Sequence, residues 1–205
     1  MITCWKLGPA LASGNVVVVK TPELAPLYGQ KLAELIVEAG FPPGVVNIVT
    51  GYGKTAGKAI AEHMKIRKVS FTGSTLTGQS VLHAAASSNL KKVTLELGGK
   101  GPSIVFKDAD LSNAIFWTLL GSSANNGQIC VLGSRIYVQD EIYNQFLEGF
   151  QAYAKGNPTA AGNPLDPGVN KGPMISPVQY ARVMKYIETG KREGAQVLIG
   201  GNELQ

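Results

Sequence analysis

The feature that most restricts the fold is an alternation, repeated three times in the N-terminal half, of an apolar β-branched run with a segment of helical spacing. Asn15-Val16-Val17-Val18-Val19-Lys20 is apolar without alternation, which predicts a strand covered on both faces in a parallel sheet. Pro22 and Pro26 end it. Leu32, Leu35 and Ile36 then fall at helical spacing, predicting a helix over 27–39 with Gly40 at its stop. Pro42-Pro43-Gly44 turns the chain into a second strand over 45–49. Gly51, Gly53 and Gly57 open a helix towards His63. A third strand, 68–71, leads through Gly73-Ser74 into a helix across 81–86. Three strand–helix units in succession imply a parallel, doubly wound α/β sheet.

After Lys92 the texture changes. Short strands are predicted at 93–97 and 103–106, on either side of Gly98-Gly99-Lys100, followed by a helix over 109–120. A strand at 135–138, a helix over 142–153, a Pro/Gly/Asn-rich loop at 156–174, a long helix at 178–190 and a last strand at 197–199 complete the pattern. The change of texture puts a domain boundary near Gly98.

Composition narrows the function classes. Of 205 residues 44% are hydrophobic, which is ordinary for a globular chain and argues against disorder. The net charge of +5 is spread singly or in pairs such as Lys91-Lys92, a solvated surface and not a nucleic-acid footprint. Cys4 and Cys130 are far apart and only two histidines accompany them. Neither a zinc site nor a disulfide framework is indicated, and a reducing compartment fits. No apolar run approaches a membrane span, and the first residues lack a signal-peptide layout.

Several segments carry possible chemistry, and the residues alone leave each one open. Gly51-Tyr52-Gly53-Lys54-Thr55-Ala56-Gly57 lies between a strand and a helix, where backbone N–H groups can hold a phosphate. Its spacing fits neither the dinucleotide fingerprint nor a P-loop, and a plain tight turn is the alternative. Phe71-Thr72-Gly73-Ser74-Thr75, with Gly78 following, repeats the arrangement at the same sheet edge and favours a nucleotide. Glu23, just beyond the first strand, is placed to accept ribose hydroxyls or is a surface acid. Lys20 ends an apolar strand and needs an anionic or hydroxylic partner or an exit to solvent.

Glu96, in Thr94-Leu95-Glu96-Leu97-Gly98-Gly99, reads two ways. Flanking leucines would desolvate a general base; strict alternation would instead put its side chain opposite them. Cys130, in Asn125-Asn126-Gly127-Gln128-Ile129-Cys130-Val131-Leu132, is either a nucleophile in a glycine-flanked loop or a small buried hydrophobe.

Together, Trp5-Lys6-Leu7-Gly8-Pro9-Ala10-Leu11-Ala12, the Lys20 and Glu23 pair, Phe71-Thr72-Gly73-Ser74-Thr75, Leu95-Glu96-Leu97-Gly98-Gly99-Lys100 and Gly127-Gln128-Ile129-Cys130 stand in the order and spacing of one family. The chain resembles the NAD(P)-dependent aldehyde dehydrogenases over nearly its whole length, and looks most like their broad-specificity, fungal members. The resemblance implies Cys130 as the thiolate nucleophile and Glu96 as the base that activates the deacylating water. It implies NAD in preference to NADP, with Lys20 and Glu23 at the adenosine ribose and Gly53, Gly73, Ser74, Gly78 and Leu97 among the cofactor contacts. Residues 1–98 are then part of the NAD(P)-binding domain and 99–205 part of the catalytic domain with the nucleophile.

The resemblance also implies an aldehyde substrate, a cytoplasmic location, no nucleic-acid or membrane partner, and a homo-oligomeric full-length form. It makes this chain a central section: the segment with the oxyanion-hole asparagine is expected ahead of Met1, leaving the Cys130 backbone N–H as one donor. Exposed apolar sheet edges and a tendency to aggregate are expected of such a section. Val131 and Leu132 stand where cysteine and alanine are common, and Ala124 where an aromatic residue often lines the substrate tunnel. Two other readings remain: a truncated, non-catalytic relative, and a thiol hydrolase, which the location of His63 and His83 in the nucleotide-binding half disfavours.

Overall fold

A computed structural model describes residues 1–156 and 162–202. The chain divides into two compact units, Met1–Leu97 and Gly98–Gln205.

The first unit opens with α1 (Ile2–Ala12), an apolar helix whose sole charge is Lys6, and continues with β1 (Val17–Lys20), α2 (Leu27–Glu38) and β2 (Val46–Val49). β1 and β2 pair in parallel, Val17 against Val46 through Lys20 against Val49. Gly53–Gly57 forms a single π turn that runs into the short α3 (Lys58–Glu62). β3 (Lys68–Gly73), α4 (Thr75–Ser87) and β4 (Lys92–Leu97) form a second strand–helix–strand unit, with Thr72 opposite Glu96 and Gly73 opposite Leu97 in parallel register.

The α/β class expected from the alternation is present, and each crossover between parallel strands is helical. Hydrogen bonding joins the strands of the described residues two by two, as β1–β2, β3–β4 and β5–β6. The expectation that β1 is covered on both faces needs correction. Val17, Val19 and Lys20 are half-buried, but Val16 and Val18 are exposed, because β1 has one covered face. An unbroken valine run reports β-propensity as well as burial, and here the propensity dominates.

Lys91 departs from the solvated-charge reading. It is buried, and its ammonium donates to the Ala61 carbonyl and to Ser88 Oγ, both at 2.6 Å. It thereby pins the start of β4 to α3 and to the end of α4.

The second unit contains β5 (Pro102–Val105), α5 (Leu111–Ser123), β6 (Arg135–Val138), α6 (Tyr143–Gly156) and α7 (Pro177–Arg192). β5 and β6 pair in parallel, Pro102 against Arg135 through Val105 against Val138. Val105, Ile115 and Phe146 form the buried core between strand and helices, joined by Leu111, Ile136 and Phe150. Asp110 accepts the Asn113 N–H at 3.0 Å and Ser176 the Gln179 N–H at 3.2 Å, so α5 and α7 both start on side-chain caps. The strand expected at 197–199 is not formed: these residues have no ladder partner among the described residues. Part of the 156–174 loop lies outside the described residues.

Large apolar side chains remain exposed in both units, among them Trp5, Val16 and Val37 in the first and Trp117 and Val131 in the second.

Candidate functional site

In the first unit Lys20 and Glu23, the residues expected at a ribose, form an ion pair. Lys20 Nζ donates to Glu23 Oε2 at 2.9 Å, with the lysine side chain largely covered and the glutamate about half exposed. Their placement follows from the local sequence: Lys20 ends β1, and Pro22 breaks the strand so that the chain turns and Glu23 comes back beside it. The hydrogen bond from Lys20 is the main reason the Glu23 carboxyl is held below the usual carboxylate range, and the Gly53 amide adds a weaker pull. A Cβ on Gly57 would lie 3.9 Å from Lys20 Cδ. Lys20, Glu23 and the glycine turn after β2 thus meet at the carboxyl ends of β1 and β2, the edge where ligands of such folds bind. The donor, the acceptor and the exposed backbone amide suit the hydroxyls of a ribose.

Gly73, Ser74, Gly78 and Leu97 cluster at the matching end of β3 and β4, in different capacities. Ser74 caps α4, accepting the Thr77 N–H at 3.3 Å and sharing a 2.9 Å contact with Thr77 Oγ1. At Gly73 a Cβ would stand 2.5 Å from the Phe71 ring. Gly78 is not part of a glycine turn. It lies inside α4 and is buried, and a Cβ there would stand 2.9 Å from Leu97 Cδ2. It lets α4 approach β4, so its task is packing. Leu97 meets the cluster by the same contact.

Glu96 is exposed, between half-buried Leu95 and Leu97. Of the two readings of Glu96 the alternation holds: successive strand residues face opposite sides, and both leucines turn inward. A residue not singled out in the sequence stands nearby in electrostatic terms. Lys6, on α1, donates to Ser70 Oγ of β3 at 2.9 Å. Burial pushes its ammonium below the usual lysine range, the Glu96 carboxylate opposes that shift, and Lys68 reinforces it. The signal was present: Lys6 is a lone charge in an apolar helix, the same anomaly that drew attention to Lys20.

In the second unit the Cys130 thiol is exposed, which excludes the buried-hydrophobe reading. Its loop is built with care. Asn125, Asn126 and Gly127 are successive left-handed residues, at φ 50°, 56° and 73°. Asparagine and glycine are the residues that tolerate this region, at about 1–2 kcal/mol for other side chains. The Gln128 amide donates to the Asn125 carbonyl at 3.1 Å, and the Asn125 amide returns a bond to the Gln128 carbonyl at 3.2 Å.

Two side chains reach much further. Gln128 Oε1 accepts the Ile175 N–H at 2.8 Å, and Asn126 Nδ2 donates to the Gly172 carbonyl. Past the cysteine, Leu132 is buried, the Gly133 N–H donates to the Gly121 carbonyl at 3.0 Å, and a Cβ on Gly133 would collide with Ser103. Leu132 is thus taken up in packing, and Cys130 and Val131 form an exposed apex between two anchored ends. Ala124 is half-buried at the end of α5. An open groove of about 380 Å³ beside β5 and α5, lined by residues including Asp110, Asn113 and Trp117, contains none of the expected site residues.

Parallel strand–helix–strand units, with a Lys20–Glu23 pair at the strand ends of the first and an exposed thiol on a left-handed loop of the second, define a chain of the α/β class. The aldehyde dehydrogenase family model matches residues 1–205. An aldehyde dehydrogenase of Agaricus bisporus is 54% identical over 201 residues, which are 98% of this chain and 40% of that protein. The mouse protein named aldehyde dehydrogenase, cytosolic 1, is 53% identical over the same shares. Among solved structures, PnpE in complex with nicotinamide adenine dinucleotide superposes with a TM-score of 0.93 at 47% identity, covering 98% of this chain and 40% of that one. The chain belongs to the aldehyde dehydrogenase family, and it spans about 40% of the length of the curated relatives it matches.

Proposed function

We propose that this chain is a section of an enzyme that oxidises an aldehyde to a carboxylic acid with NAD, Cys130 acting as nucleophile and Glu96 as general base. The observation that carries the reading is the exposed Cys130 thiol at the apex of a loop held in left-handed backbone conformations. Strain at an exposed nucleophile is the kind of local cost that persists where function over-determines the structure.

The Cys130 thiolate attacks the aldehyde carbonyl carbon, a sulfur–carbon bond forms, and the carbonyl electron pair moves to oxygen as a thiohemiacetal. The Cys130 backbone N–H is a donor to that oxygen. NAD, when bound, would supply the hydride acceptor for oxidation at that carbon, which leaves a thioester on Cys130. Glu96 removes a proton from water, which attacks the thioester carbonyl and expels the Cys130 thiolate, releasing the acid. The exposure of Glu96 leaves its carboxylate open to water.

Residues 1–98 supply the cofactor-binding part and 99–205 the part bearing the nucleophile. Lys20 and Glu23 would hold the adenosine ribose, where a carboxylate repels a 2′-phosphate and so favours NAD over NADP. Gly53, Gly73 and Ser74 would line the phosphates, with Gly78 and Leu97 supporting that edge by their mutual packing. No helix of the described residues is long and apolar enough to cross a membrane. A cytoplasmic location and a homo-oligomeric full-length form complete the proposal. The test is NADH appearance with a simple aldehyde, compared with Cys130→Ser. Turnover lost in that variant supports the reading. No turnover by the parent, together with no NAD protection of Cys130 from thiol labelling, overturns it for this chain.

A further inference from the structure

We propose that Asn126 and Gln128 are positioning residues for the Cys130 thiol, clamping the nucleophile loop to the 172–175 segment that leads into α7. The assignment rests on the reading of Cys130 as nucleophile. Both side chains reach 46–47 residues along the chain, Asn126 to the Gly172 carbonyl and Gln128 to the Ile175 N–H. Neither bond is needed to close the turn. The reciprocal Asn125–Gln128 amide bonds and the Gln128 N–H to the Asn125 carbonyl at 3.1 Å already do that locally.

The long-range bonds fix the loop's position instead of its internal shape. The exit from the loop is held separately by buried Leu132 and by Gly133 against Gly121. With one end held by packing, the thiol's position depends on what holds the other. At that end the backbone is in its least favourable conformation, Asn125 through Gly127. The asparagine therefore has two separable tasks: tolerating a positive φ, which glycine also does, and donating to Gly172, which glycine cannot.

The experiment uses the full 205-residue chain in a Cys4→Ser background, because Cys4 is also exposed. The probe is p-nitrophenyl acetate: the Cys130 thiolate attacks the acetyl carbonyl, a thioester forms and p-nitrophenolate leaves in a burst of one equivalent. Asn126→Gly and Gln128→Met are each expected to slow the burst on the order of tenfold, as loss of a held attack geometry does, with burst amplitude and melting midpoint unchanged. Gln128→Glu keeps an acceptor for the Ile175 N–H and is expected to recover much of the rate. Hydrogen exchange at the Ile175 amide is expected to accelerate in Gln128→Met and to stay slow in Gln128→Glu.

A Cys130-dependent burst that Asn126→Gly and Gln128→Met leave at the parent rate would overturn the positioning assignment alone. A parent burst no faster than that of a free thiol, or one that survives Cys130→Ser, would overturn the nucleophile reading and this assignment with it. A variant whose rate falls only together with its melting midpoint, without recovery in Gln128→Glu, would reduce the two residues to structural ones and also overturn it.

Discussion

Lys20 Nζ lies 2.9 Å from Glu23 Oε2, joining the last residue of β1 to the loop that follows it. As an ion pair with one half-exposed partner it adds little to stability. Its interest is the fixed carboxylate it creates beside the Gly53 amide. Glu23→Gln keeps the shape and removes the charge, so the preference for NAD over NADP is expected to fall by roughly five- to tenfold, about 1 kcal/mol of near-surface repulsion. Fluorescence titration with both nucleotides measures it.

The same carboxylate sets a pH dependence. The lysine holds the Glu23 carboxyl below its usual range. A depressed acid contributes fully above its unfolded pKa, about 4.3, and loses the contribution as pH falls through the lower folded value. Parent and Glu23→Gln are therefore expected to differ in NAD affinity at neutral pH and to converge on acidification below about pH 4. A constant difference down to pH 3 in the same titration would contradict this.

Gly29 tests the packing of α2 on the first strand pair. A Cβ there would collide with Thr21 Cγ2 and stand 3.3 Å from Ile48 Cγ2, and Thr21 is fully buried. Gly29→Ala is expected to destabilise by about 1–3 kcal/mol through overpacking, even though alanine is the better helix former by about 1 kcal/mol. Urea unfolding of the two proteins decides it.

Leu90 offers the opposite sign. It sits at φ 56° in the turn between α4 and β4 and is 80% exposed, so it is strained and buries almost nothing. Leu90→Gly is expected to stabilise by about 0.5–1 kcal/mol, the left-handed strain relieved less the entropy glycine adds to the unfolded chain. A lower urea midpoint would count against the strain argument.

Much of this was legible in the chain itself, for local reasons. Helices α2, α6 and α7 follow from spacing and stop signals, and Lys20 stood out as a charge ending an apolar run. What failed depended on partners distant in sequence. Residues 197–199 have strand composition but no ladder partner among the described residues. Glu96 read two ways, and only the faces of β4 decided for the alternation that sets it opposite its leucines. The close packing of Gly78 went unread because its partner, Leu97, lies 19 positions on. The links from Asn126 and Gln128 to Gly172 and Ile175 carry no local pattern at all.

The central claim is that Cys130 becomes acylated during aldehyde oxidation and that Glu96 directs the water that frees it. Peptide mass spectrometry of the Glu96→Gln variant, incubated with NAD and a simple aldehyde, tests it most directly. The account predicts an acyl thioester on the Cys130 peptide that requires NAD, with Cys4 unmodified. No adduct at Cys130, or equal acylation of Cys4 with or without NAD, would contradict it.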